Sequence, residues 1–175
     1  MTGPEKQPPS GEREISSGVI VFKKSVDGPR FLALYYGHNY WTFPRGKIEK
    51  EERSFEAALR ETFEETGLVR EDLRFVDYFK TYENWTFTRN GKKVRKTVIF
   101  YLAETHHKVI KPEKRCFGYG WFTAPEMMKL LVGPKNEENR KVIKRVWGFL
   151  SGKKKTKIKP PGKSQEKEIK EEKKK

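Results

Sequence analysis

An α/β domain is predicted by three features of the chain: short β-branched apolar runs, a helix-period segment lodged between them, and an amphipathic stretch before the C-terminal tail. Residues 18–22 and 31–36 read as two buried strands joined by the Asp27-Gly28-Pro29 turn, with ordered structure expected to begin near Ile15. Residues 54–66 follow as the first helix, with Ser54 as the expected N-cap and Gly67 closing its C-terminal end. Residues 73–86 and 94–103 are strand-rich, and Asn90-Gly91 between them predicts a hairpin. Residues 118–122 read as a further strand. Thr123 with Glu126 three residues on is a capping box that starts a short helix through Leu131. In residues 139–150, Val142, Ile143, Val146, Trp147 and Leu150 recur at three- and four-residue steps, one apolar face suited to lie on a sheet.

With 175 residues, one domain with a single core is expected, over residues 14–150. Residues 1–13 read as a flexible, proline-bearing leader and residues 151–175 as a disordered Lys/Glu-rich tail. That tail holds eleven lysines against four glutamates and so supplies +7 of the formal net charge of +15. The excess favours polyanionic ligands, nucleotides or RNA among them. Cys116 is the sole cysteine, which excludes an internal disulfide and a cysteine-built zinc site. No apolar run resembles a signal peptide or spans a bilayer, so a cytoplasmic protein without a membrane partner is expected.

The chemistry-bearing segment is residues 46–68. At about 100° per residue, Phe55, Ala58, Leu59, Thr62, Phe63 and Thr66 fall on one side of the helix, the expected core face. Glu61, Glu64 and Glu65 fall together on the other, with only Ala57 between their rows. Like charges at these spacings destabilise an isolated helix by roughly 0.2–0.5 kcal/mol per pair, and a divalent cation would offset that cost. Mg²⁺ suits the cluster because it takes a few carboxylates and leaves other octahedral positions to water and substrate phosphate. A solvated glutamate-rich helix face is the plain alternative for such a string taken alone. Gly46, lacking a Cβ, permits close approach of backbone to a phosphate or metal. Arg45 and Lys47 flank it and are the candidate polyphosphate contacts, while Lys24, Lys80 and Lys96 read as solvated charges.

The full string, Gly46, Glu52, Arg60, Glu61, Glu64, Glu65, Gly67 and Leu68, resembles the Nudix box. Thr62 stands where that pattern usually has an aliphatic residue. The resemblance implies a Nudix α/β/α sandwich with a mixed curved sheet, and a pyrophosphohydrolase that uses Mg²⁺, with Mn²⁺ as a substitute. It implies that Glu61, Glu64 and Glu65 ligate metal, joined by the backbone carbonyl at or next to Gly46. Glu61 is alternatively the general base, a role also open to Glu52. Arg60 is expected to pair with a loop or helix carboxylate and tie the loop to the helix.

Two stretches outside the box narrow the resemblance. Residues 40–48, Tyr-Trp-Thr-Phe-Pro-Arg-Gly-Lys-Ile, are similar to a run in asymmetric diadenosine tetraphosphate hydrolases, and Lys96-Thr97-Val98-Ile99 resembles a strand of the same branch. Arg-Glu-Thr at residues 60–62 also looks like that branch's form of the box. By this resemblance the substrate is a nucleoside polyphosphate, diadenosine tetraphosphate split into ATP and AMP, with Trp85 and the nearby Tyr82 candidates to stack on adenine. The branch often carries a glutamate six residues before the tryptophan of its last strand, where this chain has Arg115. Glu113 is the nearest acid and the remaining candidate. The start of the box also looks like that of messenger-RNA decapping enzymes, so an RNA 5′-end pyrophosphohydrolase is the alternative enzyme. A non-catalytic Nudix module binding nucleotide or RNA is a third reading, although such modules typically lose box glutamates and all four are here.

Overall fold

A computed structural model describes residues 12–106, 109–133 and 136–152. The expected leader up to Gly11 and the tail beyond Gly152 lie outside the described residues. Seven strands form one sheet: β1 (Glu12–Lys23), β2 (Arg30–Tyr35), β3 (Trp41–Thr42), β4 (Arg45–Lys47), β5 (Leu73–Arg89), β6 (Lys92–Thr105) and β7 (Gly118–Thr123). Three α-helices accompany them: α1 (Ser54–Thr66), α2 (Ala124–Leu130) and α3 (Glu137–Leu150). The main path through the sheet is β3-β2-β1-β6-β5, with β4 paired to β1 and β7 to β2. β1 runs parallel to β6 and the other pairings are antiparallel, so the sheet is mixed.

Alternation along the two central strands builds a core on each face of the sheet. Ile20, Phe22, Val98, Phe100 and Leu102 point to one side, where Met127 of α2 and Val142, Ile143 and Val146 of α3 close over them. Val19, Val21, Tyr101 and Ala103 point to the other, against Ala58 of α1 and Leu68 just beyond it. This is the α/β/α sandwich expected.

Several local expectations need correction. β1 begins at Glu12 rather than near Ile15, because Glu12 to Phe22 pair continuously with Val94 to Glu104 of β6. Arg53, not Ser54, is the N-cap of α1: the Glu56 carboxylate accepts from the Arg53 amide, while the Ser54 hydroxyl meets that of Tyr101 at 2.9 Å. The helix is also rolled relative to the projected face. Ala57 is buried and Phe63 is 53% exposed, so the inward stripe runs Ala57, Ala58, Thr62, Glu65, Thr66. In α3, Trp147 is 41% exposed, outside the buried stripe of Val142, Ile143 and Val146. The hairpin turn at Asn90-Gly91 has positive φ at both residues, as a tight two-residue loop between twisted strands requires, and pairs Arg89 with Lys92. The Thr123 capping box is present and opens α2.

Candidate active site

The site is assembled around β4, a three-residue strand that the sequence does not announce. β4 pairs with β1 through Ser16, Ser17 and Gly18. A Cβ on Gly18 would lie 2.0 Å from the Pro44 carbonyl oxygen, so glycine there lets the segment entering β4 cross β1 closely. A Cβ on Gly46 would lie 1.9 Å from the Glu61 carboxyl group. Helix α1 thus sets Glu61 directly against the backbone of Gly46, in the space that the missing side chain leaves.

Arg60 gathers the carboxylates around it. Its Nε and Nη2 donate to the two oxygens of Glu52, each at 2.9 Å, and Nη2 also reaches the Lys47 carbonyl at 2.9 Å. Nη1 donates to Glu61 at 2.8 Å and to Glu64 at 3.4 Å. One planar guanidinium therefore ties β4, the loop and the helix together. The hydrogen bond from Arg60 lowers the Glu52 pKa. Burial instead raises that of Glu61, with Arg60 opposing.

Glu65 is 9% exposed and accepts from the Arg45 amide at 2.9 Å and from the Tyr36 hydroxyl at 3.0 Å. Burial pushes its pKa up to about 7, against those two hydrogen bonds and with help from the charges of Glu61 and Glu113. The same Tyr36 hydroxyl lies 3.0 Å from Glu113, although a phenol has one proton to donate. The segment before β7 thus brings Glu113 to the acidic end of the site, with Arg115 chelating its carboxylate from outside. Glu64 stays on the rim, its side chain 53% exposed.

Tyr36, Gly46, Glu61, Glu65, Glu113 and Arg115 line a cleft of about 400 Å³ together with Lys47 and Lys96, and its charged groups fall into two sets. Glu61, Glu65 and Glu113 form the acidic one. Lys47 and Lys96 form the other, held near the buried carboxylate of Glu14, at 3.4 Å and 3.8 Å respectively. Burial, then the neighbouring charge of Arg45, depresses the Lys96 pKa, with the Glu14 carboxylate opposing. Lys96, read from sequence as a solvated charge, is half-buried in the cleft wall. Its signal was the apolar run after it, which places it on an interior strand.

Arg45 behaves differently from its neighbour Lys47. Its Nη1 donates to Glu83 at 2.5 Å and its Nη2 to the Tyr40 hydroxyl at 3.1 Å, with the guanidinium 5.4 Å from the Trp85 ring centre. Its donors are turned into the fold. Trp85 packs against the core beside Arg45 and Lys96. Tyr82, three residues earlier on β5, falls on the opposite face of the strand, so the two aromatics cannot flank one base.

The donor set suits a hard divalent cation. Glu65 is buried with an amide and a phenol for partners rather than a cation, and Gly46 leaves the Glu61 carboxylate touching the backbone. Among the described residues no three acidic, histidine or cysteine groups are already gathered at ligating spacing, and Arg60 and Tyr36 occupy oxygens of Glu61, Glu64 and Glu65.

A model of the NUDIX domain matches residues 13–146. The chain belongs to the Nudix family. It is 32% identical over 123 residues to the asymmetrical bis(5′-nucleosyl)-tetraphosphatase of Mus musculus, covering 65% of this chain and 81% of that protein. An RNA pyrophosphohydrolase of Actinobacillus pleuropneumoniae is 27% identical over 147 residues, covering 76% of this chain and 70% of the relative. The fold superposes on a C. elegans Ap4A hydrolase in a binary complex with a TM-score of 0.67 at 22% identity, over 79% of this chain and 98% of the other. The Nudix hydrolase RenU of M. smegmatis gives 0.60 at 17% identity, over 79% and 88%. This Nudix chain is accordingly a hydrolase of pyrophosphate bonds that acts on nucleoside polyphosphates.

Proposed function

We propose that this Nudix hydrolase cleaves diadenosine tetraphosphate to ATP and AMP in a Mg²⁺-dependent reaction. The two-pole cleft carries the reading: carboxylates at one end and lysines at the other match a bound cation followed by a run of phosphates. Glu61, Glu64 and Glu65, with the backbone at Gly46, would hold Mg²⁺, which when bound neutralises phosphate oxygens and acidifies an attacking water. Lys47 and Lys96 draw in the polyphosphate and hold it in line. Arg60 keeps Glu52 and Glu61 in place. Because both oxygens of Glu52 are taken by Arg60 and both of Glu113 by Arg115, Glu61 is the better proton acceptor at the cleft. Identity to the asymmetrical tetraphosphatases supports this choice of substrate.

The experiment is incubation of the purified full chain with diadenosine tetraphosphate and Mg²⁺, with separation of products. ATP and AMP are expected. Equal release of ADP, or no turnover while triphosphorylated RNA is processed, overturns the reading. The RNA alternative has its own support in the exposed Lys92, Lys93 and Arg95 beside the hairpin turn and in the RNA pyrophosphohydrolase relative.

A further inference from the structure

Glu83 is a charged side chain that the reaction above does not use, yet it is among the most completely buried in the molecule, 1% exposed. It lies on the core face of β5, opposite Val98 of β6. One of its oxygens accepts from Arg45 Nη1 at 2.5 Å, and the other has no hydrogen-bond partner among the described residues. Burying a carboxylate is costly, and removing the guanidinium that pairs with it would leave a poorly compensated charge. The Arg45 guanidinium is held equally firmly, between this carboxylate, the Tyr40 hydroxyl and the rings of Trp85 and Phe100.

What this anchor fixes is the backbone of β4. The amide of Arg45 donates to Glu65 at 2.9 Å, and the next residue, Gly46, is the surface against which Glu61 rests. A three-residue strand is a weak element by itself. The Arg45 side chain holds that amide toward Glu65 from the core side, while the Val19 amide at the Pro44 carbonyl and Arg60 at the Lys47 carbonyl hold the two ends of the segment. The ladder to β1 secures the strand along one edge only.

We propose that Glu83 is a positioning residue for the metal-facing carboxylates: through the Arg45 side chain it locks β4, and through the β4 backbone it orients Glu65 and Glu61. The inference rests on the reading of those two glutamates as cation ligands. It assigns Arg45 to the support of the site instead of to direct contact with phosphate.

The test is Glu83→Gln, which keeps the shape and removes the charge, with Glu83→Asp as a second variant that keeps the charge and withdraws the carboxylate from Arg45. Melting of each establishes that it is folded. Mn²⁺ binding is then measured directly by electron paramagnetic resonance without substrate, alongside kcat and KM at saturating metal. Loss of groups that orient metal ligands typically weakens metal affinity or activity ~10–100-fold. Weaker Mn²⁺ binding and a lower kcat in that range are expected, with KM for the nucleotide changed less than about threefold. Wild-type Mn²⁺ affinity and kcat in a folded variant overturn the proposal. So does a raised KM with unchanged kcat, which would make Arg45 a direct phosphate contact. Failure of the wild-type chain itself to bind Mn²⁺ would instead overturn the metal reading, and the metal measurement stands whichever nucleotide is the substrate.

Discussion

Single side chains decide the electrostatics of the cleft. Glu65→Gln and Glu64→Gln remove carboxylates assigned to the cation, and each should lower kcat by more than the ~10–100-fold that follows from losing a group that merely supports a ligand. Full activity in either variant, measured at saturating Mg²⁺, would remove that residue from the site. Glu65 also makes the metal-free protein sensitive to pH. Burial raises its pKa from 4.5 to about 7, so the folded state keeps a proton that the unfolded chain gives up. The stability this provides is complete below about pH 4.5 and is lost as pH rises through about 7. Between about pH 5 and about pH 8 the wild-type protein in chelator should therefore lose on the order of 2 kcal/mol more than Glu65→Gln. Parallel melting curves across that range would contradict it.

Short elements place those side chains, and two glycines make the placement feasible. In Gly46→Ala the new Cβ would overlap the Glu61 carboxyl group at 1.9 Å. Because that neighbour is the end of a flexible side chain, the expected result is a folded protein with Glu61 displaced and kcat reduced roughly as for loss of a ligand-orienting group, ~10–100-fold. In Gly18→Ala the obstacle is the Pro44 carbonyl at 2.0 Å, which is backbone. The strand crossing itself must shift, so a stability loss of about 1–3 kcal/mol should accompany any loss of activity. Circular dichroism melting separates the two cases. At α2 the effect is confined to folding: Thr123→Ala removes the cap oxygen and should cost about 1 kcal/mol while leaving turnover unchanged.

Across the whole molecule, charge and organisation point to encounter with polyanions. The chain carries +15 overall, and residues beyond Gly152 contribute +7. The described fold ends with α3 and a turn at Ser151 and Gly152, and its cleft is lined without any residue after Arg115. Truncation after Gly152 should accordingly leave turnover of a dinucleotide within about twofold at moderate salt, where surface charges are screened over ~10 Å. Abolished dinucleotide turnover would make the tail part of the site. Among the described residues no helix is long and apolar enough to cross a membrane.

The residues of the box, their helix, the hairpin turn and the α2 cap were legible along the chain because each depends on contacts within a few positions: a 3.6-residue period, an Asn-Gly turn, a Thr-Glu pair. Family and chemistry followed from that local string. The roll of α1 was not legible, since Phe63 and Ala57 exchange places once the helix docks on β1 and β4, and projection alone has no reference direction. Nor was the separation of Tyr82 from Trp85, which depends on where β5 keeps its strand period. The contacts that complete the site join residues far apart, Arg45 to Glu83 across 38 positions and Tyr36 to Glu113 across 77. Sequence spacing carries no information about such pairs. Strand register and the close crossing at Gly18 bring them together, so the ligand set was written locally while its alignment was decided only by the tertiary fold.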